Sequence, residues 1–463
     1  MGWDIITNFL FKFYIVILFV LKILLMVVSF SFINSVSFVN SVSFASNGIL
    51  KEFLNSFGKV IMRDVDADGD KDLIVIFDSI ANGNKDDYGT SLYVDKNYRV
   101  YVTGFSFNGI NNDMYVIRLN SDGTLDKSFG TNGKVVFNSI ANGDGDDFGF
   151  SIYVDSYGKI YVTGESFNGV NSDIYVIKLN SDGNIDSTFG NNGKVIFNSV
   201  ANGNDFDTAY SLFVYNNKIY VTGSSFNGKN DDMYVIRLTT NGKIDKSFGT
   251  NGKVVFNNIA NGNGDDFGNS IYVDNYKAVY ITGNSFNGRD SDMYVIKLTA
   301  NGKIDRSFGT NGKVVFNNIA NGNKYDFGNF IYVDSYNKIY VTGNSFNGRD
   351  SDVYVIRLTT KGVLDKSFGI NGKVVFNNIA NKDSDDFANS LYLDNLGNLY
   401  LTGRSDNNMF VIKLNSNGSL DKSFGKSGKI VIPNITSKSS SDEGNSIYVD
   451  TNGKVFVTGN SFN

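Results

Sequence analysis

The sequence predicts an all-β protein, a β-propeller of seven four-stranded blades whose last blade is closed by an N-terminal strand. Three observations carry that expectation. The motif D-x-S/T-F-G-x-x-G recurs at Asp126–Gly133, Asp186–Gly193, Asp245–Gly252, Asp305–Gly312, Asp365–Gly372 and Asp421–Gly428. A period of about 60 residues marks a repeat architecture, whose units bury their apolar faces only against neighbours. Each unit also reads as four short strands with no helical period. Finally, the chain holds 49 Gly, 26 Tyr and 39 Phe but a single Pro, a composition of strands joined by tight Asn, Asp and Gly turns.

One unit shows the elements in order. Lys134–Asn138 alternates as a short strand and leads into the polar loop Asn142–Gly149. Ser151–Asp155 and Lys159–Gly164 flank the turn Ser156–Gly158 and form a hairpin. The loop Phe167–Asp173 follows, then the strand Ile174–Leu179, and Asn180–Gly183 turns the chain toward the next motif. Four antiparallel strands repeated radially make a propeller. A β-solenoid is the runner-up, but its coils are shorter and lack hairpin turns. The motif itself reads as a turn and seam that pass the chain from one blade to the next. Its Phe residues (Phe129, Phe189, Phe248, Phe308, Phe368, Phe424) belong to the core, at about 1.5–3 kcal/mol per buried ring.

Six units run from about Asp72 to Gly428, and a seventh holds only Lys429–Ile432, Ser446–Asp450 and Lys454–Gly459. Ile49–Leu54, followed by the worn motif Asn55–Gly58, is expected to supply its missing strand. Residues 47–463 then form a single domain.

Residues 1–46 differ in kind. Phe9–Phe32 is nearly all apolar, interrupted by Lys12 and Lys22, and no further Lys or Arg occurs before Lys51. This asymmetry predicts a signal peptide or an uncleaved membrane-anchor helix, with the repeats outside the cytoplasm, secreted or envelope-associated. Ser43 and Ala45 suit a cleavage site after Ala45.

Cysteine and histidine are absent. That removes disulfides, thiol nucleophiles, thiolate zinc sites and imidazole acid–base chemistry. A net charge of −5 without a basic cluster argues against a nucleic-acid partner. Membrane contact is expected only through the N-terminal segment, if it is retained. Glutamate occurs only at Glu52, Glu165 and Glu443, few acids for a carboxylate enzyme.

The string D-K-S-F-G-T-N-G-K-V-V, with hairpins such as Gly158–Gly164, resembles the bacterial delta-60 repeat over about residues 72 to 463. The resemblance implies an extracytoplasmic β-propeller and transfers no catalytic residue.

The sharpest unrepeated signal is Asp64-Val-Asp66-Ala-Asp68-Gly69-Asp70-Lys-Asp72. Oxygen donors at positions 1, 3, 5 and 9, a glycine at 6 and the position-7 carbonyl of Asp70 match a loop that wraps a hard cation. The segment resembles the calcium hairpin of FG-GAP or integrin-type repeats, and one structural Ca2+ is expected there. The alternative is a solvated acidic turn. A weaker i, i+2, i+4 pattern recurs at Asn82/Asn84/Asp86, Asn142/Asp144/Asp146, Asn261/Asn263/Asp265 and Asn381/Asp383/Asp385. Too few donors make cation sites of these, and turns bonding their own backbone are the simpler reading. These loops are expected to share one face with Asp113, Asp173, Asp231, Asp232, Asp290, Asp292, Asp350 and Asp352, beside the Phe of Ser-Phe-Asn-Gly.

The function expected is therefore a non-catalytic scaffold binding a protein or carbohydrate ligand at the cell surface. The alternatives are a carboxylate-dependent glycan-active enzyme and a purely structural envelope protein. A residue that appears in every copy is first structural. A specific site belongs where one copy departs from the others.

Overall fold

The computed structural model describes residues 36–38, 58–63, 72–380, 384–435 and 441–462, with side chains from Ile74 onward. In the first blade the strands are Asp87–Val94, Val100–Phe107, Asn112–Leu119 and Lys134–Phe137, paired antiparallel in that order from the centre outward. Five further four-stranded blades begin at Asp147, Asp207, Asp266, Asp326 and Asp386. Third strands are apolar without alternation because both faces are covered; every residue of Ser172–Leu179 is buried. The inner strands do alternate, Leu92 and Val94 packing in the seam with the closing sheet while half-buried Tyr93 packs toward the second blade.

Every inner strand carries a bulge, as between Gly149 and Ser151. The bulge brings the second strand so close that a Cβ on Gly164 would lie 1.8 Å from the Phe148 carbonyl oxygen. Only glycine fits there.

The motif does not pass the chain between blades. Phe129 N–H donates to the Asp126 carbonyl (2.9 Å) and Gly133 N–H to that of Phe129 (2.8 Å). This tight turn folds Lys134–Phe137 back onto its own blade, in register with Met114–Ile117. The strand expected to open a unit is thus the outer strand of the preceding blade. The seam role is real, however. Phe129 packs with Ile152 and Val162 of the second blade, and Gly130 N–H donates to Asp182 O there (2.7 Å).

The seven four-stranded blades expected are not formed. Six sheets have four strands, and the sheet joining the two ends of the chain has five. Its order is Gly58–Arg63, Asp72–Phe77, Val36–Phe38, Val455–Phe462, Ser441–Val449. Val36–Phe38 pairs parallel with both neighbours. The expected closing strand Ile49–Leu54 lies outside the described residues. No helix occurs among the described residues, and Val36–Phe38, inside the segment read as a signal or anchor helix, is a strand. Its β-branched and aromatic side chains suit a strand position, and the unit beginning at Ser441 brings only two strands of its own. The closing sheet completes the ring: Asn389 Nδ2 of the sixth blade donates to Gly444 O (3.1 Å), and Asn445 Nδ2 to Gly89 O of the first (3.0 Å).

Two faces result. The loops entering each blade meet those between second and third strands, as where Gly143 N–H donates to Phe167 O (3.0 Å). This is the loop face, and the two loop sets do share it. The inner hairpin turns and the motif form the opposite turn face, where Lys159 Nζ reaches Asp186 Oδ2 (3.5 Å).

Candidate functional site

The turn face is built alike in every four-stranded blade. The basic residue near the end of the third strand pairs with the motif aspartate: Arg118–Asp126 2.7 Å, Lys178–Asp186 3.1 Å, Arg237–Asp245 3.0 Å, Lys297–Asp305 3.0 Å, Arg357–Asp365 3.2 Å and Lys413–Asp421 2.9 Å. In five of the six the cation also lies over the motif Phe, Arg118 being 4.7 Å from the Phe129 ring centre. The Asp186 carboxyl is held down at about 2, first by the Thr188 hydroxyl and further by Lys178. At the axis, Tyr93, Tyr153, Phe213, Tyr272 and Tyr332 form a train of rings 4.8–5.8 Å apart, and Tyr392 meets Tyr448 at 4.9 Å.

On the loop face most predicted ligands have internal tasks. Asp146 Oδ1 accepts from Asn112 N–H (2.8 Å), Asp265 from Asp231 (3.0 Å) and Asp385 from Ser351 (2.9 Å). The third donor of the weak pattern therefore staples the loop to the preceding blade, and Asn142 and Asn261 are turn residues with φ of 72° and 70°. Asp113, Asp173, Asp232, Asp292 and Asp352 are buried and accept from Asn108, Asn168, Asn227, Asn287 and Asn347 at 2.7–2.9 Å. The Phe of Ser-Phe-Asn-Gly covers the entering loop: a Cβ on Gly145 would sit 2.6 Å from Phe167 Cδ1. Among the described residues no cluster of three or more acidic groups could hold a metal. Asp64, Asp66, Asp68 and Asp70 lie outside the described residues, and Asp72 is described only as backbone, opposite Arg63.

A further ring of carboxylates lies at the start of the inner strands. Asp147 accepts from Ser139 N–H (2.7 Å) and Ile140 N–H (3.2 Å). Burial raises Asp147, Asp207, Asp266 and Asp386 to about 6, against hydrogen bonds that pull the other way. These groups anchor loops, and their partners are backbone N–H groups and a serine hydroxyl.

What remains open is an aromatic arc at the inner rim of the loop face. Successive ring centres run Phe462–Tyr88 5.5 Å, Tyr88–Phe105 4.3 Å, Phe105–Phe148 4.7 Å, Phe148–Phe150 5.9 Å and Phe150–Tyr210 6.1 Å. All six rings are half-buried. The arc spans the closing sheet and the first three blades. Farther round, the positions of Phe150 and Tyr210 are Asn269, Asn329, Asn389 and Asn445, and the position of Phe105 is Asn284, Asn344 and Asn460. There amides pair, as Asn269 with Asn284 (3.2 Å) and Asn445 with Asn460 (2.9 Å). Two glutamates bracket the arc. Glu165 accepts a hydrogen bond from the Thr208 hydroxyl beside Tyr210, and burial raises its carboxyl above the usual range. Glu443 accepts from Asn389 (2.8 Å).

A cavity of about 280 Å³ lies between the sixth blade and the closing sheet, lined by Ile74, Ile76, Met409, Ile432 and Val457 among others. It follows from closure, because three residues, Val36–Phe38, stand where other blades have a third strand of seven to nine.

Comparison with known protein families finds β-propeller repeats. The family described as a β-propeller domain of unknown function (DUF5122) matches residues 99–129, 158–189, 216–248, 337–368 and 397–424. A β-propeller repeat matches residues 379–410. The chain carries β-propeller repeats. No curated protein matches it. Among solved structures, the extracellular domain of the one-component system BT4673 from B. thetaiotaomicron is 12% identical, with a TM-score of 0.40 over 82% of this chain and 38% of that one. Virginiamycin B lyase from Staphylococcus aureus is 12% identical, with a TM-score of 0.43 over 88% and 100%. The polysaccharide lyase Uly1 is 11% identical, with a TM-score of 0.45 over 81% and 90%.

Sequence reasoning missed the arc because it weighed repeated residues. The signal was present: Phe105, Phe150 and Tyr210 stand where later copies carry Asn.

Proposed function

We propose that this chain is a non-catalytic β-propeller scaffold that acts outside the cytoplasm, secreted or held at the cell envelope, and binds a protein or glycan on its loop face. The aromatic arc from Phe462 to Tyr210 carries the reading. Tyr88 and Phe148 have ring counterparts in Phe267, Phe327 and Phe387, but Phe105, Phe150 and Tyr210 stand where later blades carry Asn; rings added there are unnecessary for the fold and offer a ligand apolar area with fixed geometry. The charge asymmetry around Phe9–Phe32 supports the location. A calcium ion held by Asp64, Asp66, Asp68, Asp70 and Asp72 would brace the closing sheet as a structural element.

Two measurements test the reading. A protease that cannot cross membranes should digest the chain on intact producing cells, or the chain should accumulate in the medium. Purified protein should bind cell envelopes, and Phe105→Asn should weaken that binding. Cytoplasmic retention, or binding indifferent to the loop face, would overturn it.

A second reading, a carboxylate-dependent glycan-active enzyme, has one observation in its favour: the unrepeated Glu165 and Glu443 both lie at this rim. Their hydrogen bonds lead to different seams, however, and neither contacts the other. Release of reducing ends from a glycan, lost in Glu165→Gln, would establish it.

A further inference from the structure

The chemistry around the loop-face rim is divided. One sector is aromatic, from Phe462 through Tyr88, Phe105, Phe148 and Phe150 to Tyr210. The other keeps a half-buried Phe at the position of Tyr88 and Phe148, namely Phe267, Phe327 and Phe387, but replaces the remaining rings with the amides of Asn269, Asn329 and Asn445, paired with Asn284, Asn344 and Asn460. In two of those pairs a donor is left over: the Nδ2 groups of Asn344 and Asn460, residues 2% and 4% exposed, meet no acceptor.

The loop tips above repeat the division. Ile110 and Val170, 84% and 78% exposed, crown the first two blades. The third, fourth and fifth carry exposed Lys229, Arg289 and Arg349 at the same place. Phe206, 60% exposed, stands over the third inner strand.

We propose that this rim is the binding site for an uncharged polysaccharide, a reading that rests on the scaffold function above and names its ligand class. A sugar ring has an apolar face of C–H groups and an edge of hydroxyls. Aromatic rings take the first by stacking. Amides, which both donate and accept, take the second. Glu165 and Glu443, at the ends of the arc, can each accept one further hydroxyl. Charge selects against the competitors. The rim holds two glutamates and Arg404, which lies over the Phe387 ring at 5.0 Å, and the loop-tip cations stand beside Asp231, Asp290 and Asp350, Arg289 lying 3.8 Å from Asp290, so the face has no cationic surplus to hold a polyanionic chain. The inner strands that carry the arc are sheet edges, but neighbouring side chains already hold their backbone, Thr90 Oγ1 donating to Gly149 O (2.6 Å) and Ile152 N–H donating to Ser91 Oγ (3.3 Å), so an extended peptide would find few backbone groups left to pair with.

The experiment is affinity electrophoresis of the full chain in gels containing laminarin, dextran or galactomannan, with alginate as the polyanionic control, alongside a random peptide display. The key variant is Phe150→Asn with Tyr210→Asn, which installs the residues other copies carry there and so keeps the fold; melting temperature checks that it does. At least one neutral polysaccharide should retard the wild type, and the variant should lose affinity about tenfold for each ring removed, each tenfold being 1.4 kcal/mol. Retardation by alginate alone overturns the proposal. So does peptide capture that depends on Phe150 and Tyr210, although that result keeps the scaffold reading. Binding to neither class defeats both.

Discussion

The two faces of the propeller are made from the same repeats and obey different rules. On the turn face every four-stranded blade sets an Arg or Lys against the motif aspartate and over a neighbouring ring, the motif Phe in five of the six, and has an aromatic ring at the axis. On the loop face the framework is shared, but the rim positions of Phe105, Phe150 and Tyr210 change from rings to amides partway round. The difference separates what repetition needs from what it permits. Arg118 pairs with Asp126 inside its own blade, but its guanidinium also donates to the Ser181 carbonyl of the next blade, as Gly130 N–H does to Asp182 O, so a change in one copy is felt by two blades. The side chains at positions 150 and 210 touch only the rim, and the blades tolerate Phe, Tyr or Asn there.

That contrast breaks most visibly if a repeated residue proves dispensable. Phe189 is fully buried, packs in the core shared by the second and third blades, and meets Tyr161 edge-on at 6.3 Å. Phe189→Ala should cost about 3–5 kcal/mol, read as a lowered denaturant midpoint. Gly164→Ala should follow at about 1–3 kcal/mol, since its methyl group would overlap the Phe148 carbonyl. A loss below about 0.5 kcal/mol in both would mean the seams are not the stabilising unit.

Tyr272 tests the axis of the turn face. It lies between Phe213 at 4.8 Å and Tyr332 at 5.0 Å. Each such ring contact is worth about 0.5–1.5 kcal/mol beyond its buried area. Tyr272→Ala should therefore destabilise measurably, without affecting any ligand bound on the loop face. Phe105→Asn should do the reverse, changing stability by less than about 1 kcal/mol while weakening ligand binding. If Phe105→Asn unfolds the protein, the arc is a core element and the distinction between the faces fails.

The sequence made the propeller, the strands and the shared loop face legible because each rests on local pattern: alternation, turn chemistry and period. It misplaced the phase of the blade. Lys134–Phe137 alternates equally well as a first or a last strand, and only its pairing with Met114–Ile117 decides. Closure was illegible for a related reason. A strand as short as Val36–Phe38 leaves almost no periodic signal, and its parallel partners are far away in sequence. The loop aspartates read as surface ligands because sequence shows neither burial nor the Asn108–Asp113 type of internal bond.

The faces also differ in how they hold carboxylates, and pH offers the gentlest way to separate them. Asp147, Asp207, Asp266 and Asp386, on the loop side, are raised to about 6 by burial. An unfolded aspartate titrates near 3.9. A raised folded value means protonation favours the folded state, so this stability is complete below about 4 and is lost as pH rises through about 6. Asp186 on the turn face, at about 2, behaves oppositely: its contribution is present above about 4 and vanishes as pH falls through 2. Both contributions coexist only between those limits. The protein should thus melt at a higher temperature at pH 5 than at pH 7.5, and Asp147→Asn should flatten part of that slope without changing behaviour near pH 3. A melting temperature that climbs steadily from pH 5 to 7.5 would show that the loop-side carboxylates are paired or solvated after all, and the electrostatic contrast between the faces would be lost.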